Sequence, residues 1–452
     1  MPCLALAGFF VRRFAEVPPS SQICRRIGCF LHICLRRLPE FRPDCSSNDF
    51  VRYSGHYTFA KESASTLCRS GDVTLADIMI RQSSRRKLRY AVVGLGHIAQ
   101  VAVLPAFRTA ANSELFALVS ADAEKLKKLG KKYKIDHLYS YQDYGRALSN
   151  VEAVYLALPN HLHREFAERA AAAGVHVLCE KPMAVTEDEC HAMIKAAHQN
   201  HVKLMVAYRL HFEKGNLEAI AVARSGKLGD LRFFVSEFSQ QVADRNIRIA
   251  EPLTRGGGPV YDMGVYCINA ARYLFGSEPI EVSAIAASAR KEPRFQTVEE
   301  MVSVTLRFPQ DRLATFTCSF GAADVSRYSL IGTKGDLRAD PAYEYAEGIK
   351  HELTVGGKKR AKTFPKRDQF AAQIAYFSDC VLKNKEPEPS GLEGLADVRV
   401  VRAIYESIQT QKHVPLPQSF SKKGPSLRQE IQRPAHEKPE VIHAHPASRG
   451  AA

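Results

Sequence analysis

No apolar run in this 452-residue chain reaches the roughly 18–20 residues that span a bilayer, so no membrane-crossing helix is expected. The 11 cysteines form no Cys-x-x-Cys pair and no zinc-type spacing, so no metal site is expected. Six of them (Cys3, Cys24, Cys29, Cys34, Cys45 and Cys68) precede residue 70. The other five are scattered, mostly in apolar runs, and read as buried thiols of a reducing compartment. A clear export signal is also missing. The stretch CRRIGCFLHICLRRLPEF has a twin arginine, but its apolar run is nine residues, broken by His32 and followed by Arg36 and Arg37 rather than a small-residue cleavage site. A cytoplasmic protein is expected, with periplasmic export the weaker alternative.

Acidic residues are short: 63 Lys and Arg face 48 Asp and Glu, a formal charge of +15. That excess raises a nucleic-acid or membrane partner. Its distribution argues against both. Residues 1–88 carry +7 and residues 413–452 carry +3, leaving +5 over 89–412. The central region therefore reads as a small-molecule protein. Residues 1–87 are expected to be disordered or non-native, with Met79 a plausible start. The polar, proline-containing segment 416–452 is expected to be a disordered tail.

Between the flanks, apolar strand runs alternate with helical ones. LRYAVVG (88–94), LFALVS (115–120), VEAVYLALP (151–159), VHVLC (175–179) and VKLMVAY (202–208) are the strands. Helices are expected over 98–109, 122–133, 163–174 and 186–200, the last opened by a Thr186/Glu189 capping box. This α/β alternation predicts a Rossmann-type doubly wound parallel sheet over 88–210. After a helix over 213–225, alternating runs at 231–239, 280–290, 299–308, 313–320 and 328–340 predict an open, mostly antiparallel sheet. With helices over 368–384 and 391–411, this forms an α+β domain over 211–415 for substrate binding and oligomerisation.

VVGLGHIA places Gly94-x-Gly96-x-x-Ala99 between a strand and a helix. The first glycine makes the tight turn, the second admits a pyrophosphate and the small third residue lets helix and strand pack closely. Leu95, His97 and Ile98 complete the turn. At the second strand's tip stands Ser120, with Lys125 in the next helix, and no carboxylate occupies the tip itself. Ser120 and Lys125 suit a 2′-phosphate, favouring NADP over NAD; Asp122 serves equally as a helix N-cap. Ligands of such sheets bind beyond the carboxyl ends of the strands. There lie LPNHLH (with Pro159, Asn160 and His163), CEKP (with Glu180 and Lys181) and AYRLH (with Arg209). The second domain adds TRGGGPVYDMGVY, where Asp262 and Tyr266 are four residues apart and share a helix face. A phenol near an ammonium such as Lys181 suits a proton acceptor.

These phrases resemble the glucose–fructose oxidoreductase and inositol dehydrogenase (Gfo/Idh/MocA) family over about 88–415. YAVVGLG, LVSADAEK, VYLALPNHLH, LCEKPMA, YRLHF and GGGPVYDMGVYCINAARYLFGSEP are similar to its glucose–fructose oxidoreductase branch. The resemblance implies NADP on Gly94, Leu95, Gly96, His97, Ile98 and Ala99, with its 2′-phosphate at Ser120 and Lys125. Pro159, Asn160, His163, Glu180 and Arg209 would border the nicotinamide and sugar. It implies that Lys181 and Asp262 orient a sugar C1 hydroxyl and that Tyr266 takes its proton as hydride leaves. The implied activity is an NADP-dependent sugar oxidoreductase, possibly a glucose–fructose transhydrogenase, assembled as a homodimer or homotetramer. The alternatives are an anhydro-sugar reductase, an inositol- or xylose-type dehydrogenase, and a non-catalytic NADP-binding regulator. TLADIMIRQSSRRKLRY lacks the proline-rich arm of that branch, so permanent cofactor retention is not implied.

Overall fold

The computed structural model describes residues 86–244, 246–289, 292–417 and 424–444; the expectation for residues 1–85 lies outside them. Strand β1 (Leu88–Val93) is buried at every position except Arg89, because helices cover both of its faces. It pairs in parallel with β2 (Ser113–Val119) on one side and β4 (Ala153–Leu156) on the other. With β3 (His137–Tyr139), β5 (His176–Cys179) and β6 (Leu204–Val206), the order is β3-β2-β1-β4-β5-β6. The predicted Rossmann sheet is present. The unpredicted β3 is a three-residue edge strand whose residues are exposed or half-buried, too short to show a period. The order in which successive strands are laid down reverses between β1 and β4, which opens a crevice above their carboxyl ends.

The helix expected over 98–109 starts as a π-helical turn (Ala99–Val103) and ends in the short segment Leu104–Ala106. Pro105 sits in the first turn of that segment, where its missing N–H costs nothing. Thr186 and Glu189 form the predicted capping box on the helix Glu187–Gln199. Among the described residues, no helix is long and apolar enough to cross a membrane.

The second sheet has nine strands, β7 (Leu231–Ser239), β8 (Glu281–Ala287), β9 (Met301–Phe308), β10 (Arg312–Ser319), β11 (Val325–Gly332), β12 (Gly335–Ala339), β13 (Lys350–Val355), β14 (Lys358–Thr363) and β15 (Val414–Pro415). Their order is β14-β13-β12-β11-β7-β10-β9-β8-β15, and only β7 and β10 pair in parallel. Burial alternates cleanly along β9, as one covered face requires. The opposite face leaves Phe233, Val235, Ile285 and Leu313 exposed. The run 328–340 is two strands, turned at Thr333 and Lys334. The β13–β14 hairpin was not legible: all six residues of β14 are exposed, and no apolar alternation marks it. Its turn is Gly356-Gly357, both with positive φ (55° and 75°), as a tight hairpin needs.

The two domains are sewn together by chain that follows the second sheet. Helix Gln369–Leu382 returns to the first domain, where Phe370, Ile374 and Phe377 pack with Tyr90, Val92, Leu118 and Tyr155. Helix Gly391–Thr410 gives Leu395 and Val398 to the first domain's core and Val400, Val401 and Ile404 to the second's. The expected disordered tail (416–452) needs correction over residues 424–444; its residues 418–423 and 445–452 lie outside the described residues. Residues 424–444 form a 3₁₀ turn (Leu427–Gln429) and then irregular chain that packs Ile431, Val441 and Ile442 against the first domain. Composition misled here because the segment's polar groups are matched by side chains and backbone from distant elements. Asp368 N donates to Arg433 O (3.1 Å), and Lys132 Nζ to Glu440 O (3.0 Å).

Arg272, on the helix Val265–Phe275, is buried between Asp397 (2.5 Å), Glu278 (2.6 Å) and Glu393 (3.1 Å). Burial works against the guanidinium charge, but the three carboxylates outweigh it. Removing the cation leaves a fully buried Asp397 unpaired. Arg272→Met is therefore expected to cost about 3–5 kcal/mol. Urea unfolding followed by circular dichroism measures it, and a loss too small to detect would deny the network a structural role.

Candidate active site

The glycine turn follows β1 into the crevice. Gly94 has φ +87°, and a Cβ there would lie 2.5 Å from Ala157 O, so protein contacts alone demand glycine. Gly96 differs: a Cβ there would meet nothing within 4 Å. Its missing side chain clears space beside the first turn of a helix whose N–H groups have no intrahelical acceptor. Ala99 is fully buried in the helix–sheet contact, as the third position requires. Leu95 turns into the core, while His97 and Ile98 are half-buried on the rim. The turn fits a dinucleotide pyrophosphate.

At the tip of β2, Ser120 is buried and its Oγ accepts from Asp122 N (3.2 Å). Asp122 caps the helix Ala123–Tyr133 by accepting from Lys125 N (2.8 Å). That bond is the main reason its carboxyl stays below the usual range. Lys125 Nζ lies 3.9 Å from the same carboxylate. A hydroxyl and an ammonium thus share the corner where a ribose 2′-substituent belongs.

Beyond β4, Pro159 precedes the 3₁₀ turn Asn160–Leu162. Asn160 is buried and bound to the second domain: its Nδ2 donates to Gly256 O (2.8 Å), and its Oδ1 accepts from Arg248 (2.8 Å). His163 faces main chain on both ring nitrogens, Leu158 O at 3.0 Å and Pro182 O at 3.1 Å. It braces two site loops from behind, and no face of this fully buried ring is left for the cofactor. Burial, against those carbonyls, pushes it down to about 4.

Beyond β5, Glu180 Oε1 accepts from Tyr155 OH (2.7 Å), which accepts in turn from Gln373 Nε2 (2.8 Å). Burial raises the Glu180 carboxyl, opposed by the Tyr155 bond and the Lys181 charge. Lys181, followed by a cis peptide to Pro182, crosses to the second domain. Its Nζ donates to Asp262 O (2.8 Å) and Asp262 Oδ1 (3.1 Å), and sits 4.7 Å above the centroid of the Tyr266 ring. Asp262 lies on a π-helical turn (Val260–Gly264) that feeds the helix carrying Tyr266. Burial works against its charge, yet Lys181 and then Arg248, 3.8 Å away, outweigh burial and hold the carboxyl low. Arg209, beyond β6, stacks its guanidinium 5.1 Å from the Tyr266 centroid and also over Tyr345. Three of its five N–H donors go to Gln369 Oε1, Tyr343 O and Glu344 O. Arg209 is thus a buried platform for Tyr266 more than a free ligand contact.

The three expected catalytic residues therefore meet, and Lys181 and Tyr266 line a small pocket of about 10 Å³. A separate cavity of about 660 Å³, lined by none of the three, opens on the far side of the residues that hold Arg209. His97 borders it on one side, and Tyr345, Gln369 and Phe370, the partners of Arg209, on the other. Arg209 stands between those wall residues and Tyr266. Arg248, Tyr343, Tyr345 and Gln369 were not foreseen; each reaches the site from irregular chain or a helix start, and no local motif marks them. One pH effect follows from His163. Its folded form resists protonation, so the unfolded chain binds the extra proton below pH 6.5 and stability falls with acidification. Between pH 6.5 and 5 this group alone is expected to remove about 2 kcal/mol. Urea midpoints of wild type and His163→Gln at the two pH values measure it; an equal acid loss in both would assign it elsewhere.

Two sequence models match this architecture. The oxidoreductase family with an NAD-binding Rossmann fold matches residues 88–208, and the GFO/IDH/MocA C-terminal domain matches residues 216–338. The chain is 30% identical over 338 residues to the D-xylose 1-dehydrogenase (NADP(+)) of Haloarcula marismortui, covering 73% of this chain and 93% of that one. It is 30% identical over 343 residues to the trans-1,2-dihydrobenzene-1,2-diol dehydrogenase of Macaca fuscata fuscata, covering 72% and 99%. A crystal structure of aldose–aldose oxidoreductase from Caulobacter crescentus superposes with a TM-score of 0.70 at 40% identity, covering 73% of this chain and all of that one. By fold, motifs and kinship along both domains, the chain belongs to the Gfo/Idh/MocA family of NAD(P)-dependent oxidoreductases.

Proposed function

We propose that the protein is an NADP-dependent sugar oxidoreductase acting at C1 of a pyranose aldose. The observation that carries this reading is the convergence of Lys181, Asp262 and Tyr266 at the tip of β5, across the crevice from the glycine turn. Bound nicotinamide would accept the C1 hydrogen with its electron pair. Lys181 is aimed by Asp262 and holds the C1 hydroxyl. Tyr266 takes the hydroxyl proton as the C1 carbonyl of a lactone forms. To accept that proton Tyr266 acts as its phenolate, whose negative charge stands beside two cations, Lys181 and Arg209, on the ring and is discharged as the proton arrives. Ser120 and Lys125 favour NADP, in line with the NADP-named xylose dehydrogenase relative.

A second reading returns the hydride from the same bound nucleotide to another sugar. The 40% identity to an aldose–aldose oxidoreductase favours it, and makes a second aldose as good a candidate acceptor as fructose. A non-catalytic regulator would have no use for the buried Lys181–Asp262 pair beside a phenol.

Tyr266→Phe is expected to keep NADP affinity and lower kcat by about 10²–10⁴-fold. Titration calorimetry and aldose-dependent NADPH formation separate the two effects, and undiminished turnover would remove Tyr266 as proton acceptor. The transhydrogenase reading expects purified protein to carry a reduced-nicotinamide absorbance that a second sugar discharges and buffer does not. If dialysis strips the nucleotide and aldose oxidation then needs free NADP, the enzyme is a simple dehydrogenase.

A further inference from the structure

The segment 424–444 lies beyond both matched family regions, which end at residue 338, and its course follows the edge of the cofactor crevice. It starts on the second domain, where Pro425 O accepts from Arg224 (3.0 Å). Glu430 then pairs with Lys214 (3.4 Å). From there it crosses to the first domain. His436 bridges Asp368 Oδ2 (2.9 Å) and Val101 O (3.0 Å), touching the phosphate-binding helix directly. Ile442 exchanges two hydrogen bonds with the Gln100 side chain, its N donating to Oε1 (2.7 Å) and its O accepting from Nε2 (2.8 Å). Gln100 is buried one residue after Ala99 and also donates to Leu95 O (2.9 Å) inside the glycine turn. The segment therefore grips the turn through a single amide.

Two of its side chains, Lys438 and His443, reach the surroundings of the glycine turn and the corner at Asp122. Lys438 borders the same cavity as His97, at the glycine turn. Its charge adds to burial in holding the His97 imidazole below its ordinary range. His443 Nδ1 lies 3.1 Å from Asp122 Oδ2, and its Nε2 lies 3.5 Å from Glu124. That is the corner formed by Ser120 and Lys125. The imidazole there engages a carboxylate oxygen that would otherwise face a 2′-phosphate.

We propose that the C-terminal segment 424–444 is part of the dinucleotide site, with Lys438 facing the pyrophosphate, His443 completing the 2′-phosphate corner and Ile442 fastening both to the glycine turn. This rests on the NADP reading above. It makes the tail a clasp that slows cofactor release and sharpens the choice of NADP over NAD.

The test uses the full chain and reads nucleotide binding rather than turnover. NADP and NAD are titrated calorimetrically into wild type, His443→Ala and Lys438→Ala. NADPH release is followed by its fluorescence in wild type and Ile442→Asp. Loss of His443 is expected to raise the NADP Kd about tenfold and leave the NAD Kd unchanged. Loss of Lys438 is expected to weaken both nucleotides alike. Ile442→Asp unseats the segment and is expected to speed NADPH release about tenfold with an unchanged circular dichroism spectrum. The proposal is overturned if wild type binds NADP and all three variants match it, or if Ile442→Asp holds NADPH longer, as a segment obstructing the site would predict. Wild type that binds neither nucleotide would instead strike down the cofactor reading, and the clasp with it.

Discussion

Lys181 leaves the first domain at the tip of β5 and ends on Asp262 of the second. The site exists because that contact exists. A buried ammonium is costly unless it is paired and hydrogen-bonded. Here it has a carboxylate oxygen, a main-chain carbonyl and an aromatic face. Meeting all three fixes where the second domain's π-helical turn must sit against the parallel sheet. Arg248 extends the same arrangement, bridging Asp262 and Asn160 and so tying the β4 loop into it.

Around this junction, much of the molecule serves to hold two sheets in one relation. The helix Gln369–Leu382 belongs to the second domain by sequence and to the first by packing. Its first residue, Gln369, also accepts from Arg209, the platform under Tyr266. The helix Gly391–Thr410 shares its two faces between the two cores. The buried Arg272 network closes that helix onto the one bearing Tyr266. Small movements at any of these contacts would change the Lys181–Tyr266 approach, so the candidate catalytic group is as rigid as the domain junction. The segment 424–444 adds a further tie, over the glycine turn itself.

The sequence was most readable where function and local geometry coincide. Gly94-x-Gly96-x-x-Ala99 lay between a strand and a helix as expected, and the parallel strands announced themselves as continuous apolar runs. Lys181, Asp262 and Tyr266 were named from strand ends and an i, i+4 spacing, and the fold brings them together. His163 and Arg209 were harder. As single residues a strand-end histidine and arginine look like ligands; only their surroundings reveal a brace on carbonyls and a guanidinium held by Gln369 and Tyr343 under an aromatic ring. The β13–β14 hairpin escaped notice because one of its strands is wholly exposed and charged.

The sequence by itself determined what is local: strand and helix periods, the glycine turn that lets a pyrophosphate approach, and the residue types at each strand tip. Those depend on backbone sterics and side-chain chemistry within a few residues. Tertiary structure alone decided what is relational. It set Lys181 against Asp262 across 81 residues of chain, put two cations on one phenol ring, and drew a tail of disordered-looking composition over the cofactor edge. Such pairings are invisible to a local reading. A polar segment folds when distant partners satisfy its hydrogen bonds, and those partners stand elsewhere in the sequence.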